Sequence, residues 1–239
     1  MTGTEPATAV VVSWSGGKDS TLMLEWLLAD RSVEVRALVT TVSTVYDRVS
    51  IHGVRRSILR AQAHSLGLPL HEIPLGAQSS NDDYERAFAD GLRELTLAYP
   101  DTRCMAYGDL FLEDVRAYRD ALLARHGWRG AYPLWGQNTA ALAQYFVGAG
   151  YVATLTCVDT QQLDASFAGR AYDARLLDAL PPSVDPCGER GEFHTCVTAG
   201  PIYRLAIPVE TGAQVLRDNR FQYCDLVLRE PDGTTPCVY

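Results

Sequence analysis

The stretch Val10-Val11-Val12-Ser13-Trp14-Ser15-Gly16-Gly17-Lys18-Asp19-Ser20-Thr21 constrains the fold more than any other part of the chain. An apolar β-branched run enters a turn of serine and glycine, and a helical spacing of Leu22, Met23, Trp26 and Leu27 follows at once. That is strand, loop, helix. Two glycines let the backbone approach a ligand without a Cβ clash, and the N–H groups of the first helical turn carry the positive end of the helix dipole. Such a loop suits phosphate. It is not a Walker A loop, because Asp19 follows Lys18 and no glycine stands four intervening residues before Gly17.

The rest of the first 159 residues repeats the alternation. The first helix ends near Asp30, and Val33 to Val42 reads as a second strand. His52-Gly53-Val54 opens a helix over Arg55 to Ser65, stopped by Gly67 and Pro69. Leu70 to Leu75 is a third strand, and Asn81 or Asp82 caps a helix that runs to Tyr99. A fourth strand, Arg103 to Tyr107, leads into Gly108-Asp109-Leu110; helices over Glu113 to His126 and Thr139 to Gly148 precede a fifth strand, Tyr151 to Val158. This order predicts an α/β fold, a doubly wound parallel five-stranded sheet with helices on both faces. Ligands of such sheets bind at the carboxyl ends of the strands, where Ser15-Gly16-Gly17, Thr40-Thr41 and Gly108-Asp109 fall.

After residue 159 the pattern changes. A helix over Ala171 to Leu180 is stopped by Pro181-Pro182, and β-rich pieces follow at Phe193 to Thr198, Ile202 to Pro208 and Phe221 to Leu228. The expected division is a domain over 1–159 and a smaller α+β domain over 160–239. In the second, Gly188-Glu189-Arg190-Gly191-Glu192-Phe193-His194-Thr195 brackets two carboxylates with glycines ahead of a strand. Glu189 and Glu192 could there hold Mg²⁺, accept an ammonium group or act as general base, or form only a charged turn.

Bulk properties narrow the partners. A formal net charge of −8 argues against broad nucleic-acid binding, which depends on a basic surface. The N-terminal apolar run is too short for a signal peptide or membrane span, so the expectation is a cytoplasmic protein with no membrane association. The six cysteines include no C-x-x-C pair; Cys187, His194 and Cys196, even with Cys224, fit no familiar zinc spacing, and the cysteines read as buried or incidental thiols.

The six residues Ser15–Ser20 resemble the S-G-G-x-D-S signature of the PP-loop ATP pyrophosphatases. With Gly188–Thr195, the His52-Gly53-Val54 turn, Gly108-Asp109-Leu110 and Pro133-Leu134-Trp135, the chain is similar to the diphthine–ammonia ligase family over nearly its whole length. The resemblance implies that residues 1–159 form a HUP-like nucleotide α-hydrolase domain that binds ATP and residues 160–239 a domain that binds the acceptor. It implies that Ser15, Gly16, Gly17, Lys18, Asp19 and Ser20 bind the ATP phosphates, with Asp19 near Mg²⁺, and that Gly188, Glu189, Gly191, Glu192 and Thr195 meet the acceptor. Lys18, Asp19, Glu189 and Glu192 become the catalytic candidates, and His52 and Asp109 are candidate nucleotide contacts or turn residues. Glu113, Asp114, Arg116 and Arg119 read equally as a solvated helix face or as substrate contacts, and Trp135 reads as core. The sequence departs from the family where Arg190 replaces a common glycine and at Phe193-His194.

The implied chemistry is AMP-forming: a carboxylate attacks the α-phosphorus of ATP, pyrophosphate leaves, and ammonia displaces AMP. The acceptor is a small-molecule or protein carboxylate, such as diphthine on elongation factor 2, and a homodimer is left open. Rival readings are a PP-loop RNA-thiolating or tRNA-lysine ligating enzyme, and a non-catalytic ATP-binding sensor.

Overall fold

The computed structural model describes residues 7–49, 53–76 and 79–229. His52, expected near the nucleotide, lies outside the described residues. Strand β1 (Thr8–Ser13) is central because Val10, Val11 and Val12 are buried, which requires cover on both faces. It pairs in parallel with β2 (Val33–Ser43) on one side and β5 (Cys104–Ala106) on the other. Outside these lie β4 (Leu70–Leu75), parallel to β2, and β6 (Arg129–Ala131), parallel to β5. A two-residue strand, β3 (Arg48–Val49), adds antiparallel to the end of β2.

Helices cover both faces. Val10, Val12 and Leu38 share one core with Leu22 and Met23 of α1 (Lys18–Ala29) and Ile58 and Leu59 of α2 (Arg56–Leu66). The alternate residues Val11, Ala37, Val39 and Met105 pack with Phe88, Leu92 and Leu95 of α3 (Asn81–Ala98) and Leu122 and Leu123 of α4 (Glu113–Ala124). The period-2 alternation of a strand thus divides one sheet between two cores, as the doubly wound expectation requires.

The fifth parallel strand is not the one the sequence suggests. After α5 (Thr139–Gly148), β7 (Val152–Asp159) leaves the parallel sheet and pairs antiparallel with β8 (Phe193–Ala199) and β10 (Phe221–Leu228). With β9 (Val209–Arg217) these form a second sheet in the order β8-β7-β10-β9. A buried apolar strand carries no mark of which sheet it joins, and the true fifth parallel strand, Arg-Gly-Ala, is too short and polar to signal itself. The expected strand over Ile202–Pro208 is irregular chain; β9 follows it, with Gly212 inside and its residues exposed, so neither burial nor alternation advertises it. The short α6 (Ala174–Ala179) lies within the expected helix, and the cap of α3 is Ser80, in a reciprocal capping box with Asp83.

Candidate functional site

Strand order reverses at β1, between β2 and β5, so a crevice opens where β1 and β5 end. Gly108 follows β5 so closely against α1 that a Cβ on it would stand 2.9 Å from the carbonyl carbon of Asp19. This contact brings Asp109 beside the start of α1. The second sheet closes the other side, because Lys18 N–H donates to Thr195 Oγ1 (3.0 Å) and Val197 N–H to Gly16 O (2.9 Å).

The loop glycines answer to this packing. Gly16 has φ +77°, and a Cβ there would meet Gln62 Oε1 at 2.5 Å; a Cβ on Gly17 would meet Thr195 O at 3.0 Å. Gln62, fully buried, accepts from Trp14 Nε1 (2.9 Å) and donates to Gly16 O (2.9 Å) and Val197 O (2.7 Å). No sequence pattern distinguishes this glutamine from the polar positions of an ordinary amphipathic helix. Ser15 Oγ accepts from Gly17 N–H (3.3 Å) and lies 3.2 Å from Ser20 Oγ. The helix itself supplies no acceptor to the N–H groups of Asp19 and Ser20, which begin α1.

A cleft of about 630 Å³ is lined by Ser15, Gly17, Lys18, Asp19, Ser20, Asp109, Gly188, Glu189, Gly191 and Thr195. Ten of the sequence candidates, separated by up to 180 residues, therefore meet in one place. Gly16 supports the loop from behind. Glu192 is buried outside the lining, and its two oxygens accept from Asp185 N–H (2.8 Å) and Arg190 N–H (2.9 Å), bracing the loop that presents Glu189. Glu189 Oε1 accepts from Leu110 N–H (2.8 Å), which ties that loop to the end of β5.

Charge is arranged in pairs. Lys18 Nζ is buried and donates to both oxygens of Asp19 (2.6 and 2.8 Å). Burial disfavours its charge, but Asp19, with Cys187 and Glu189, outweighs burial and holds the ammonium above its ordinary value. Arg119 pairs with Asp109 (2.5 Å) and lies 4.3 Å from the ring centroid of Tyr107. Burial raises Asp109, with Asp19 adding to the rise and Arg119 opposing it. Glu189 is pushed up to about 7, chiefly by burial and further by Asp19 and Asp109, against the hydrogen bond from Leu110. His194, which also lines the cleft, is depressed to about 4 by burial and by Lys18.

A second chamber of about 330 Å³ adjoins the first. Val39, Ile73, Leu75, Phe88, Met105 and Tyr107 contribute aliphatic and aromatic walls, with Thr40 and Thr41 beside them. Thr40 Oγ1 is buried and has no hydrogen-bond partner among the described residues. The sequence places Thr40 at a strand end but not the walls, which β2, β4, β5 and α3 bring together from distant segments. Arg116 is not simply solvated: its guanidinium lies 4.7 Å from the centroid of Tyr132 and 4.6 Å from that of Trp135. Trp135 is half-buried beneath it, and Leu134 is the core residue of that turn.

Cys187 and Cys196 are buried, with thiols pushed up to about 12, chiefly by burial. No helix among the described residues is long and apolar enough to cross a membrane.

Residues 8–129 match the family model described as the diphthamide synthase N-terminal domain, and residues 138–226 the model of the diphthamide synthase C-terminal domain. A diphthine–ammonia ligase of Schizosaccharomyces pombe is 24% identical over 233 residues, covering 90% of this chain. The chain spans 38% of that relative's length.

Proposed function

Given that this chain belongs to the diphthine–ammonia ligase family, whose domain models match it in both halves, we propose that it is an ATP-dependent amide ligase. It adenylates a carboxylate and amidates it with ammonia, releasing AMP and pyrophosphate. One observation carries the reading: the Ser15–Ser20 loop and the Gly188–Thr195 element face each other across a single cleft.

In the first step a carboxylate oxygen of the acceptor attacks the α-phosphorus of ATP, and the bond from that phosphorus to the bridging oxygen of pyrophosphate breaks. Lys18, the N–H groups of Asp19 and Ser20 and the Ser15 and Ser20 hydroxyls stabilise the charge gathering on the leaving pyrophosphate. In the second step ammonia attacks the acyl carbon and the bond to AMP breaks. Glu189, half neutral near pH 7, binds ammonium or takes a proton from it when ionised. Glu192 keeps that loop in shape. Holding acceptor and ATP in line supplies roughly 7–11 kcal/mol of the barrier.

The donors facing the cleft suit Mg²⁺, being carboxylate and hydroxyl oxygens from Asp19, Asp109, Ser15 and Ser20. Among the described residues no three His, Cys, Asp or Glu side chains gather into a metal cage. A magnesium ion here would be held by one or two carboxylates, chiefly Asp19, together with phosphate oxygens and water. When bound, Mg²⁺ would offset phosphate charge.

The name of the fission-yeast relative makes a protein-borne diphthine carboxylate the first acceptor to test, with small carboxylates beside it. Exchange of labelled pyrophosphate into ATP should require the acceptor but not ammonium, and amide should form only when ammonium is added. Asp19→Ala should abolish exchange and leave the circular dichroism spectrum unchanged. Release of ADP and phosphate instead of AMP and pyrophosphate would exclude the mechanism.

A further inference from the structure

The cleft over the Ser15–Ser20 loop and the chamber beside it share three lining residues: Ser13, Ser15 and Arg119. Of these, only Arg119 is a cation. The two spaces differ in the side chains that line them, and the two ends of a nucleoside triphosphate differ in the same way. One has hydroxyls, N–H groups and a buried lysine for a polyphosphate; the other has aliphatic and aromatic walls for a flat base, with the unpartnered Thr40 hydroxyl among them. A molecule that places its base in one and its terminal phosphates in the other must pass its α-phosphate through the junction.

Arg119 is built into that junction. Its stem rises from α4, which Leu122 and Leu123 anchor in the core, and its guanidinium lies over Tyr107, itself stacked on Tyr132 at 5.7 Å. The ion pair with Asp109 runs through Nη1. The guanidinium carries five N–H donors in a fixed fork, so donors beyond that pair remain for phosphate oxygens. Asp109 and Tyr107 hold the fork in place before any ligand arrives, which lowers the entropy lost when it binds. The sequence reads Arg119 equally as part of a solvated helix face; its side chain is only 31% exposed, and it lines both chambers.

We propose that Arg119 binds the α-phosphate of the nucleotide, the group at which the carboxylate attacks. This rests on ATP being the substrate. Arg119 is then a catalytic residue, because it touches the reacting phosphorus group and neutralises charge that grows there as the new bond forms.

Comparing adenosine with AMP isolates that contact, since the ligands differ only by the α-phosphate. Titration calorimetry of the whole protein should show that AMP binds more tightly than adenosine. Arg119→Gln should weaken AMP by at least about tenfold, the scale of one charge-assisted phosphate contact, while adenosine and inorganic pyrophosphate bind as before. Arg119→Lys, which keeps the charge but not the fork, should fall between the two and serves as the folded comparison if the glutamine variant is unstable. Equal loss of adenosine and AMP would make Arg119 a scaffold for the base chamber and overturn the inference, as would unchanged AMP affinity. If the unaltered protein binds ATP but gains nothing from AMP over adenosine, the α-phosphate assignment alone fails. If it binds none of the adenine nucleotides, the ATP reading itself fails.

Discussion

Glu189 shows how much of a side chain's chemistry is decided by its surroundings. Its type and its place between glycines are in the sequence, but its affinity for a proton is not. Burial beside Asp19 and Asp109 raises it from the ordinary 4.5 to about 7. The folded protein therefore holds this proton more tightly than the unfolded chain. Its contribution to stability is fully present below pH 4.5 and is lost as pH rises through about 7. For the proposed reaction the dependence runs the other way, because only the ionised carboxylate can hold ammonium or accept its proton. The rate of the ammonia-dependent step should rise through an apparent pKa near 7. Glu189→Gln should remove that limb and flatten the fall in stability over the same interval, read from urea midpoints at several pH values. A limb that survives the substitution would assign the titration to another group. Glu192, identical in type and three residues away, is spent on two backbone N–H groups. Nothing in the local sequence separates the two glutamates; the difference appears only once the loop closes on itself.

At the scale of elements, the strand–loop–helix at Val10–Thr21 was fully legible because three signals coincide there: a β-branched run, paired glycines and a helical repeat. The doubly wound sheet was legible for a similar reason, since the alternation of periods repeats. What escaped was membership. β7 has the composition of a parallel core strand and joins the antiparallel sheet, while β6 has almost no strand signal and completes the parallel one. Pairing partners are a property of the whole chain, and a window of residues does not contain them. Gln62 escaped for the same reason, although it joins three elements: α2, the Trp14–Gly16 loop and β8. Gln62→Leu keeps the volume but leaves Trp14 Nε1 and Val197 O buried without their side-chain partner, whereas Gly16 O retains the N–H of Val197. The cost should be roughly 3 kcal/mol, one or two unsatisfied buried groups, and nucleotide affinity should fall because the loop loses its support. Chemical denaturation and ATP titration of the variant check both. A variant as stable as the parent would mean that the loop finds its geometry without α2.

For the whole molecule, the question is whether two sheets make two folding units. The largest core answers against it. Val10 and Val12 of β1 and Leu22 and Met23 of α1 belong to one continuous apolar cluster with Leu155 and Val158 of β7, Val197 of β8 and Leu226 of β10. Arg48 and Arg55, on the first layer, both pair with Asp225 of β10 (2.7 and 2.6 Å). Hydrogen bonds from Arg48 and Arg55 hold Asp225 near 2, against the opposing effect of burial, so this tie persists at any pH near neutrality. Neither half can expose its share of such a core without stripping cover from the other, which makes separate unfolding costly. The buried cysteines supply reporters on both sides: Cys104 on β5 of the parallel sheet and Cys196 on β8 of the antiparallel one. Labelling of either requires the chain to open, because both thiols are buried and burial raises both above the ordinary thiol value. Peptide-resolved alkylation across a urea series should therefore give one midpoint for Cys104 and Cys196, coincident with loss of far-ultraviolet circular dichroism. Two midpoints separated beyond error would show that the second sheet opens alone. That would make the contacts of Thr195 with the Ser15–Ser20 loop and of Glu189 with Leu110 a docking interface instead of a shared core.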